Sequence, residues 1–340
     1  MKTAIYSDVN QVKFVEKPIP EIAKDEALVK VAYSGICGTD LGILAGKHLR
    51  AQKFLTFGHE FIGRVAEIRN TNHNTIRVGD MVAVNPLLPC GSCFVCKRGF
   101  THVCKNLRMI GIDFDGGMAE YAKVPLGNLV RVEEGGFHEE ELALTEPIAV
   151  AVHAINQSEI TEKNSAVIIG AGPIGLLIAY TLRFMGNKNI SIADVNPGRL
   201  ELASEIENIN LINAKEQDVM TEMRRHNNGD EVDYIFEAAG SQDGIDSAIK
   251  AICPKGTIVQ VGVHEEKRPI DLLAVLFKEV TLKGVRVYTE TDFRRAVELI
   301  KTENYNTRFV VTHIFSVEDI EKALDTIYSG RSVGKVLIKP

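Results

Sequence analysis

Four cysteines fall within fifteen residues, Cys90, Cys93, Cys96 and Cys104, and together they supply four thiolates from one loop. Four thiolates around a tetrahedral zinc leave no open position, so the chemistry they predict is structural rather than catalytic. Clustered thiolates repel one another until a metal neutralises them, so folding of this lobe, residues 88–106, is expected to depend on zinc. His102 lies inside the lobe and reads as a solvated loop residue, because four sulfurs complete the coordination. Cys253, alone after a helical stretch, reads as an inert packing residue.

A second set of metal-ligand types is scattered over three turns: Gly35-Ile-Cys37-Gly-Thr39-Asp40, Gly58-His59-Glu60 and Thr145-Glu146-Pro147. A catalytic zinc needs about three protein ligands and one open position. Cys37, His59 and a glutamate, either Glu60 or Glu146, meet that need. Taken singly, a cysteine in a β-rich region is more often core and a glutamate more often surface.

The third chemistry-bearing stretch is Val167-Ile-Ile-Gly-Ala-Gly-Pro-Ile-Gly-Leu-Leu177. A short apolar run runs into Gly170-x-Gly172-x-x-Gly175, with Pro173 and Ile174 between the last two glycines, and then into an apolar helical segment, Leu176 to Phe184. Gly170 permits a tight turn, Gly172 lets a pyrophosphate approach the helix N-terminus, and Gly175 lets helix and strand pack closely. A second strand ends in Asp194, 19 residues after the last glycine, where a carboxylate can bind an adenosine ribose. A carboxylate accepts from a ribose 2′-hydroxyl but repels a 2′-phosphate, and Val195 and Asn196 are not basic, so NAD is favoured over NADP. Arg199, on the following helix, either stacks near the adenine or faces solvent.

The elements that must position these residues change character along the chain. Residues 1 to about 150 read as β-rich, with strands at Glu26–Tyr33, Phe61–Ile68 and Asp80–Val84 punctuated by turns, the pattern of a small barrel or sandwich. Leu142–Ile155 reads as a linking helix. From Ser165, strands at Ala166–Ile169, Ile190–Ala193, Ile209–Ile212, Val232–Phe236, Thr257–Val261 and Val280–Leu282 alternate with helices such as Asp243–Ile252. Six such strands make a complete doubly wound parallel sheet. A helix near Asp292–Lys301, a strand near Arg308–Phe315, a helix at Val317–Ser329 and a final strand Lys335–Lys339 are expected to return to the first domain. The expected division is 1–150 with 285–340 for one domain and 151–284 for the cofactor domain.

Composition narrows the partners. A chain of 340 residues has room for two domains, and its 45% apolar and 25% charged residues are ordinary for a soluble protein. With 39 basic against 45 acidic residues, the net charge of −6 argues against nucleic acid and against a basic membrane-binding face. No apolar run reaches the length of a membrane span, and Met1–Asp8 lacks the apolar stretch of a secretory signal. A cytoplasmic protein without structural disulfides is expected.

Taken in order, the Gly-His-Glu turn at 58–60, the four-cysteine spacing, Asp115-Gly-Gly-Met-Ala-Glu-Tyr121, Glu146-Pro147, the glycine-rich turn and Gly334-Lys-Val-Leu-Ile338 identify a resemblance across essentially the whole chain. The sequence resembles the zinc-dependent medium-chain dehydrogenase/reductase family, in particular its sorbitol, threonine, galactitol-phosphate and sugar-acid dehydrogenase branches. The resemblance implies an α/β protein with a GroES-like catalytic domain and a Rossmann domain. It implies one catalytic and one structural zinc per chain, with Cys37, His59 and Glu60 or Glu146 at the former, and a homodimer or homotetramer. It implies that zinc acidifies a substrate hydroxyl, that hydride passes to NAD, and that Thr39 conducts the proton. Relatives often carry a histidine three residues after that hydroxyl; here the position is Gly42.

The substrate is the least specified part. A polyol, sugar acid or sugar-alcohol phosphate oxidised at a secondary hydroxyl is the primary expectation, with threonine or a diol as the alternative. A non-catalytic NAD-binding protein on the same fold is the reading from another class, which loss of a catalytic ligand would favour; Cys37, His59 and both glutamates are present. Arg286, in Gly284-Val-Arg-Val-Tyr288, lies where polyol and sugar-acid relatives often carry an arginine, though one residue's shift in a strand changes its face. Lys47, His48 and Arg50 form a basic group that reads as a solvated loop face.

Overall fold

The computed structural model describes all residues except 49, 70–74, 134, 265 and 331. Two compact units are present. The first comprises Met1–Glu146, Thr289–Gly330 and Lys335–Pro340, and the second comprises Pro147–Tyr288 with residues 331–334.

The first unit is built on a seven-stranded sheet. Its strands run in the order Val311–Ser316, Lys335–Lys339, Glu26–Gly35, Glu60–Ile68, Met81–Val84 and Leu129–Val132, and Tyr121–Pro125 also pairs with Glu26–Gly35. Alternation along these strands turns Ala27, Val29, Val31, Phe61, Val65, Val82, Val84, Ala122 and Val124 into one buried cluster. The register matters more than the sheet's extent. Gly35 lies opposite Glu60, and Leu337 lies opposite Gly35, so the end of one strand and the start of the next stand beside the closing strand.

The second unit is a six-stranded parallel sheet in the order Asn210–Asn213, Ile190–Asp194, Ala166–Ile169, Val232–Glu237, Ile252–Gln260 and Thr281–Gly284. The central strand Ala166–Ile169 is buried throughout, which explains its unbroken apolar run, and its neighbour Val232–Glu237 is buried at four of its six residues. The chain starts at a central strand, builds one half outward, then returns to build the other. That reversal, between Ala166–Ile169 and Val232–Glu237, is the switch point at which such sheets bind dinucleotides.

The element bounds differ from the sequence expectation mainly at ends. The helix expected from Leu176 starts at Pro173, because proline at a first helical turn forfeits no hydrogen bond. The strand expected at Thr257 begins at Ile252 and includes Cys253, Pro254 and Gly256, a run whose polar and turn-forming residues hide its extension. The strand expected from Arg308 begins at Val311, after a short 3-10 turn at Arg308–Val310. The linking helix is split into Glu139–Leu142 and Thr145–Ser158.

Candidate metal and cofactor sites

Cys37 immediately precedes the helix Gly38–Leu44 and follows the strand Glu26–Gly35, while His59 immediately precedes the next strand and Glu60 opens it. The register described above therefore brings them together. The ligand atoms of Cys37, His59 and Glu60 all lie within 4.8 Å of one another. His59 and Glu60 are buried, and Thr39 places its hydroxyl 3.8 Å from the Cys37 sulfur.

Two residues without an assigned role in the sequence analysis complete this centre. Asp40 is fully buried; one carboxylate oxygen accepts from Cys37 N at 2.8 Å and the other lies 3.5 Å from His59 Nδ1. It thereby caps the helix and orients the imidazole, leaving Nε2 as the nitrogen for a metal. Lys335, at the start of the last strand, donates to both Glu60 oxygens at 2.8 and 2.6 Å and to Ile36 O at 3.3 Å. It is only 3% exposed. The sequence signals were present: an acid at the third position of a helix, and a lysine placed before the apolar Val336-Leu-Ile338 of the closing strand.

Burial alone would push the His59 imidazolium toward neutrality, but Asp40 and Cys37 outweigh it and raise the pKa well above the usual histidine value. Burial likewise opposes the Lys335 charge, and Glu60, Cys37 and Glu146 together raise its pKa above that of an ordinary lysine. The surroundings are thus anionic and hold cations. A thiol, an imidazole and a carboxylate in such a setting fit zinc, which must displace the proton that Asp40 and Cys37 favour on His59. Glu146, buried in the first turn of Thr145–Ser158, lies outside the three-residue cluster yet near enough to act on Lys335.

The four-cysteine lobe forms a separate cluster. Cys93 and Cys96 sulfurs are 3.4 Å apart, Cys104 and Cys90 3.4 Å, and Cys93 and Cys104 3.8 Å. Zinc–sulfur bonds of about 2.3 Å place tetrahedral ligands about 3.8 Å apart, so the sulfurs are already near the corners of a zinc site. Backbone N–H groups of Ser92 and Cys93 pull the Cys90 thiol down to about 6, whereas burial pushes Cys96 up to about 12. All six cysteines are free of disulfides.

In the second unit, the glycine-rich turn joins Ala166–Ile169 to Pro173–Phe184. Gly170 has φ +104°, and a Cβ there would sit 2.8 Å from Ala239 N. A Cβ on Gly175 would collide with the Gly170 carbonyl, whereas Gly172 faces open space. Gly172 precedes the helix without a capping side chain, so the first N–H groups are available to an anion. Asp194 ends its strand and is 7% exposed; its oxygens accept from Ala171 N at 2.7 Å and Asn196 N at 2.8 Å. Each oxygen retains a lone pair for a ribose hydroxyl. Arg199 lies 3.8 Å from Asp194, so the guanidinium is turned toward that carboxylate rather than away from it. Arg286 is exposed beyond the edge strand Thr281–Gly284.

Comparison with known proteins finds relatives along the whole chain. Residues 23–134 match the alcohol dehydrogenase GroES-like domain and residues 173–302 match the zinc-binding dehydrogenase family. The chain is 32% identical to an L-threonine 3-dehydrogenase of Caldanaerobacter subterraneus subsp. tengcongensis across 96% of its own length and 94% of that protein. It belongs to the zinc-dependent medium-chain dehydrogenase family. Members are oxidoreductases, and the α/β architecture of a GroES-like unit and a Rossmann-type sheet is that of the family. Galactitol-1-phosphate dehydrogenase of Escherichia coli superimposes with a TM-score of 0.90 at 30% identity over all of both chains. An alcohol dehydrogenase of Escherichia coli CFT073 complexed with NADH superimposes with a TM-score of 0.91 at 28% identity, covering 100% of this chain and 99% of that one.

Replacing Cys104 by serine removes a corner of the sulfur cluster and should reduce zinc content by about one ion per chain while lowering the melting temperature. Full zinc content with unchanged melting would refute the assignment. Replacing Lys335 by methionine strands the Glu60 charge away from water and should cost about 3–5 kcal/mol of stability. Glu60→Gln with Lys335→Met should recover much of that loss, because both buried charges are then gone. Denaturant unfolding of the single and double variants measures this, and a Lys335→Met protein as stable as the parent would contradict it.

Proposed function

We propose that the chain is an NAD-dependent, zinc-containing dehydrogenase that oxidises a secondary hydroxyl of a polyol, sugar acid or sugar-alcohol phosphate to the ketone. The observation that carries this reading is the convergence of Cys37, His59 and Glu60 beside the Thr39 hydroxyl. Zinc bound there would supply Lewis acidity that lowers the pKa of a substrate hydroxyl. Cys37 and His59 hold the ion, with Asp40 fixing the imidazole. Glu60 is the third ligand on proximity. Glu146 is the alternative, supported by Lys335 occupying both Glu60 oxygens. Thr39 receives the hydroxyl proton of the substrate.

Gly172 and the open N-terminus of Pro173–Phe184 take the pyrophosphate, and Asp194 takes the adenosine ribose, which selects NAD by repelling a 2′-phosphate. Arg286 is the candidate to hold a hydroxyl, carboxylate or phosphate of the substrate. The activities named for the galactitol-1-phosphate and threonine relatives support a substrate with a secondary hydroxyl flanked by polar groups.

The protein is proposed to be a cytoplasmic homo-oligomer. Among the described residues, no helix is long and apolar enough to cross a membrane. The strand Thr281–Gly284 ends the parallel sheet with one side unpaired. Beside it the helix Leu272–Lys278 leaves Leu272, Leu273, Leu276 and Phe277 mostly exposed. An open strand edge next to bare leucines supports burial against a second copy.

The test is NAD-linked oxidation across polyols, aldonic acids, their phosphates and amino alcohols. Activity on one of the first three groups, lost on zinc chelation and regained with zinc, is expected. Preference for the amino alcohols would move the enzyme to the threonine branch, and inactivity throughout would favour a binding protein.

Gly42 bears on how the proton leaves. A Cβ at Gly42 meets nothing within 4 Å, and Lys47 N donates to Gly42 O at 3.0 Å, closing the turn that follows Gly38–Leu44. With no side chain at this position, Gly42 cannot accept a proton from Thr39, and solvent would have to carry it onward. Single-turnover oxidation should therefore accelerate with imidazole buffer at fixed pH and ionic strength, and Gly42→His should reduce that dependence. General-base assistance is worth about 10²–10⁴-fold where a step needs it, and replacing only the final carrier should be worth less. A rate flat in imidazole for the parent enzyme, with Thr39→Val inactive, would point to another internal carrier.

A further inference from the structure

The strand Val232–Glu237 ends in a carboxylate that is fully buried. Glu237 Oε1 accepts from Ala239 N at 3.1 Å and Gly240 N at 2.9 Å. Its Oε2 accepts from Gln260 Nε2 at 2.5 Å, and His264 Nε2 lies 3.6 Å from the same oxygen. Gln260 is the last residue of the neighbouring strand and also donates to Gly262 O at 2.8 Å. The Glu237 carbonyl takes Val261 N and Gly262 N at 2.9 and 2.7 Å. One residue therefore ties together the turn 238–240 and the segment 261–264.

These two segments are in mutual contact and one of them touches the glycine-rich turn. A Cβ on Gly240 would stand 2.7 Å from Val263 O, and Ala239 N is the atom that a Cβ on Gly170 would meet. Both segments leave the carboxyl ends of strands on the far side of the switch point from Asp194. The sheet's two halves each receive one mononucleotide. With Asp194 on the adenosine half, the turns held by Glu237 border the half that receives the nicotinamide riboside.

We propose that Glu237, braced by Gln260 and His264, is a cofactor-positioning residue that fixes the wall of the nicotinamide half of the crevice. A carboxylate is the group the geometry asks for. Its oxygens accept from three donors, two backbone N–H groups and an amide, and His264 Nε2 stands 3.6 Å from one of them. A neutral glutamine there would keep an acceptor for the backbone pair but turn an N–H against Gln260. This inference rests on the proposed NAD-dependent function.

The test compares NADH with ADP, which carries the adenosine and pyrophosphate but no nicotinamide riboside, on the zinc-loaded protein by titration calorimetry. Glu237→Gln should weaken NADH binding about tenfold, the scale of one buried donor left without an acceptor, and leave ADP binding within about twofold. Asp194→Ala should weaken both. His264→Asn, at a less buried partner, should shift NADH in the same direction by a smaller factor and covers the case in which Glu237→Gln does not fold. Equal loss of ADP and NADH would make Glu237 a general structural residue and overturn the proposal. So would NADH binding unchanged in Glu237→Gln, or in His264→Asn where only that variant folds. If the parent protein itself binds neither NADH nor ADP, the proposed function fails rather than this assignment alone.

Discussion

A lysine and a glutamate shut away from water have to face one another, and the Lys335–Glu60 pair makes the end of the chain answer to its beginning. The two residues are separated by 275 positions. An unpaired charge at either place would be far costlier than the pair is favourable. The closing strand docks with Leu337 against Gly35, the residue that on its other side stands opposite Glu60. Close approach enforces it further, since a Cβ on Gly35 would overlap the Glu60 carboxylate. The metal-ligand cluster is thus a product of strand pairing. Cys37 and His59 reach each other because the strands that carry them are neighbours and end at the same level.

Much of this was legible in the sequence because spacing and period carry it. The four cysteines lie on one short loop, so their convergence needs no long-range information. The glycine-rich turn likewise sits inside one strand–turn–helix unit, and Asp194 is on the adjacent strand. What could not be read were contacts created by the register of distant strands. Lys335 looked like the first residue of a terminal strand, and nothing nearby in sequence says that its ammonium faces Glu60. Asp40 was within the motif, but its bond to Cys37 N and its approach to His59 depend on the start of a helix and the start of a separate strand. Glu237 appeared only as the residue after an expected strand, and its two partners come from the next strand and the segment beyond it.

The strand start that slipped furthest has a local cause. Pattern reading stops a strand at proline or glycine, yet Ile252–Gln260 runs through both Pro254 and Gly256. The departure shows in the pairing: the register between this strand and Val232–Glu237 shifts between Val232 and Tyr234, where the irregular part joins the regular one. Pairing from Thr257 onward is regular, and that is the part the periodicity revealed.

The two sulfur-bearing clusters show how the same element serves two tasks by surroundings alone. In the loop, four sulfurs stand near the corners of a tetrahedron and accept backbone N–H groups from their own turn, so the donor set is complete and local. In the sheet, one sulfur meets one imidazole and a carboxylate that is already answered by Lys335. A carboxylate whose charge is partly neutralised is a weaker ligand than a free one, so it holds a metal less tightly and releases it more easily to another donor. Asp40 acts in the opposite sense on His59, fixing the ring and raising its basicity. Of the three donors, Glu60 is therefore the one whose oxygens are already engaged, by Lys335, while the imidazole is held by Asp40.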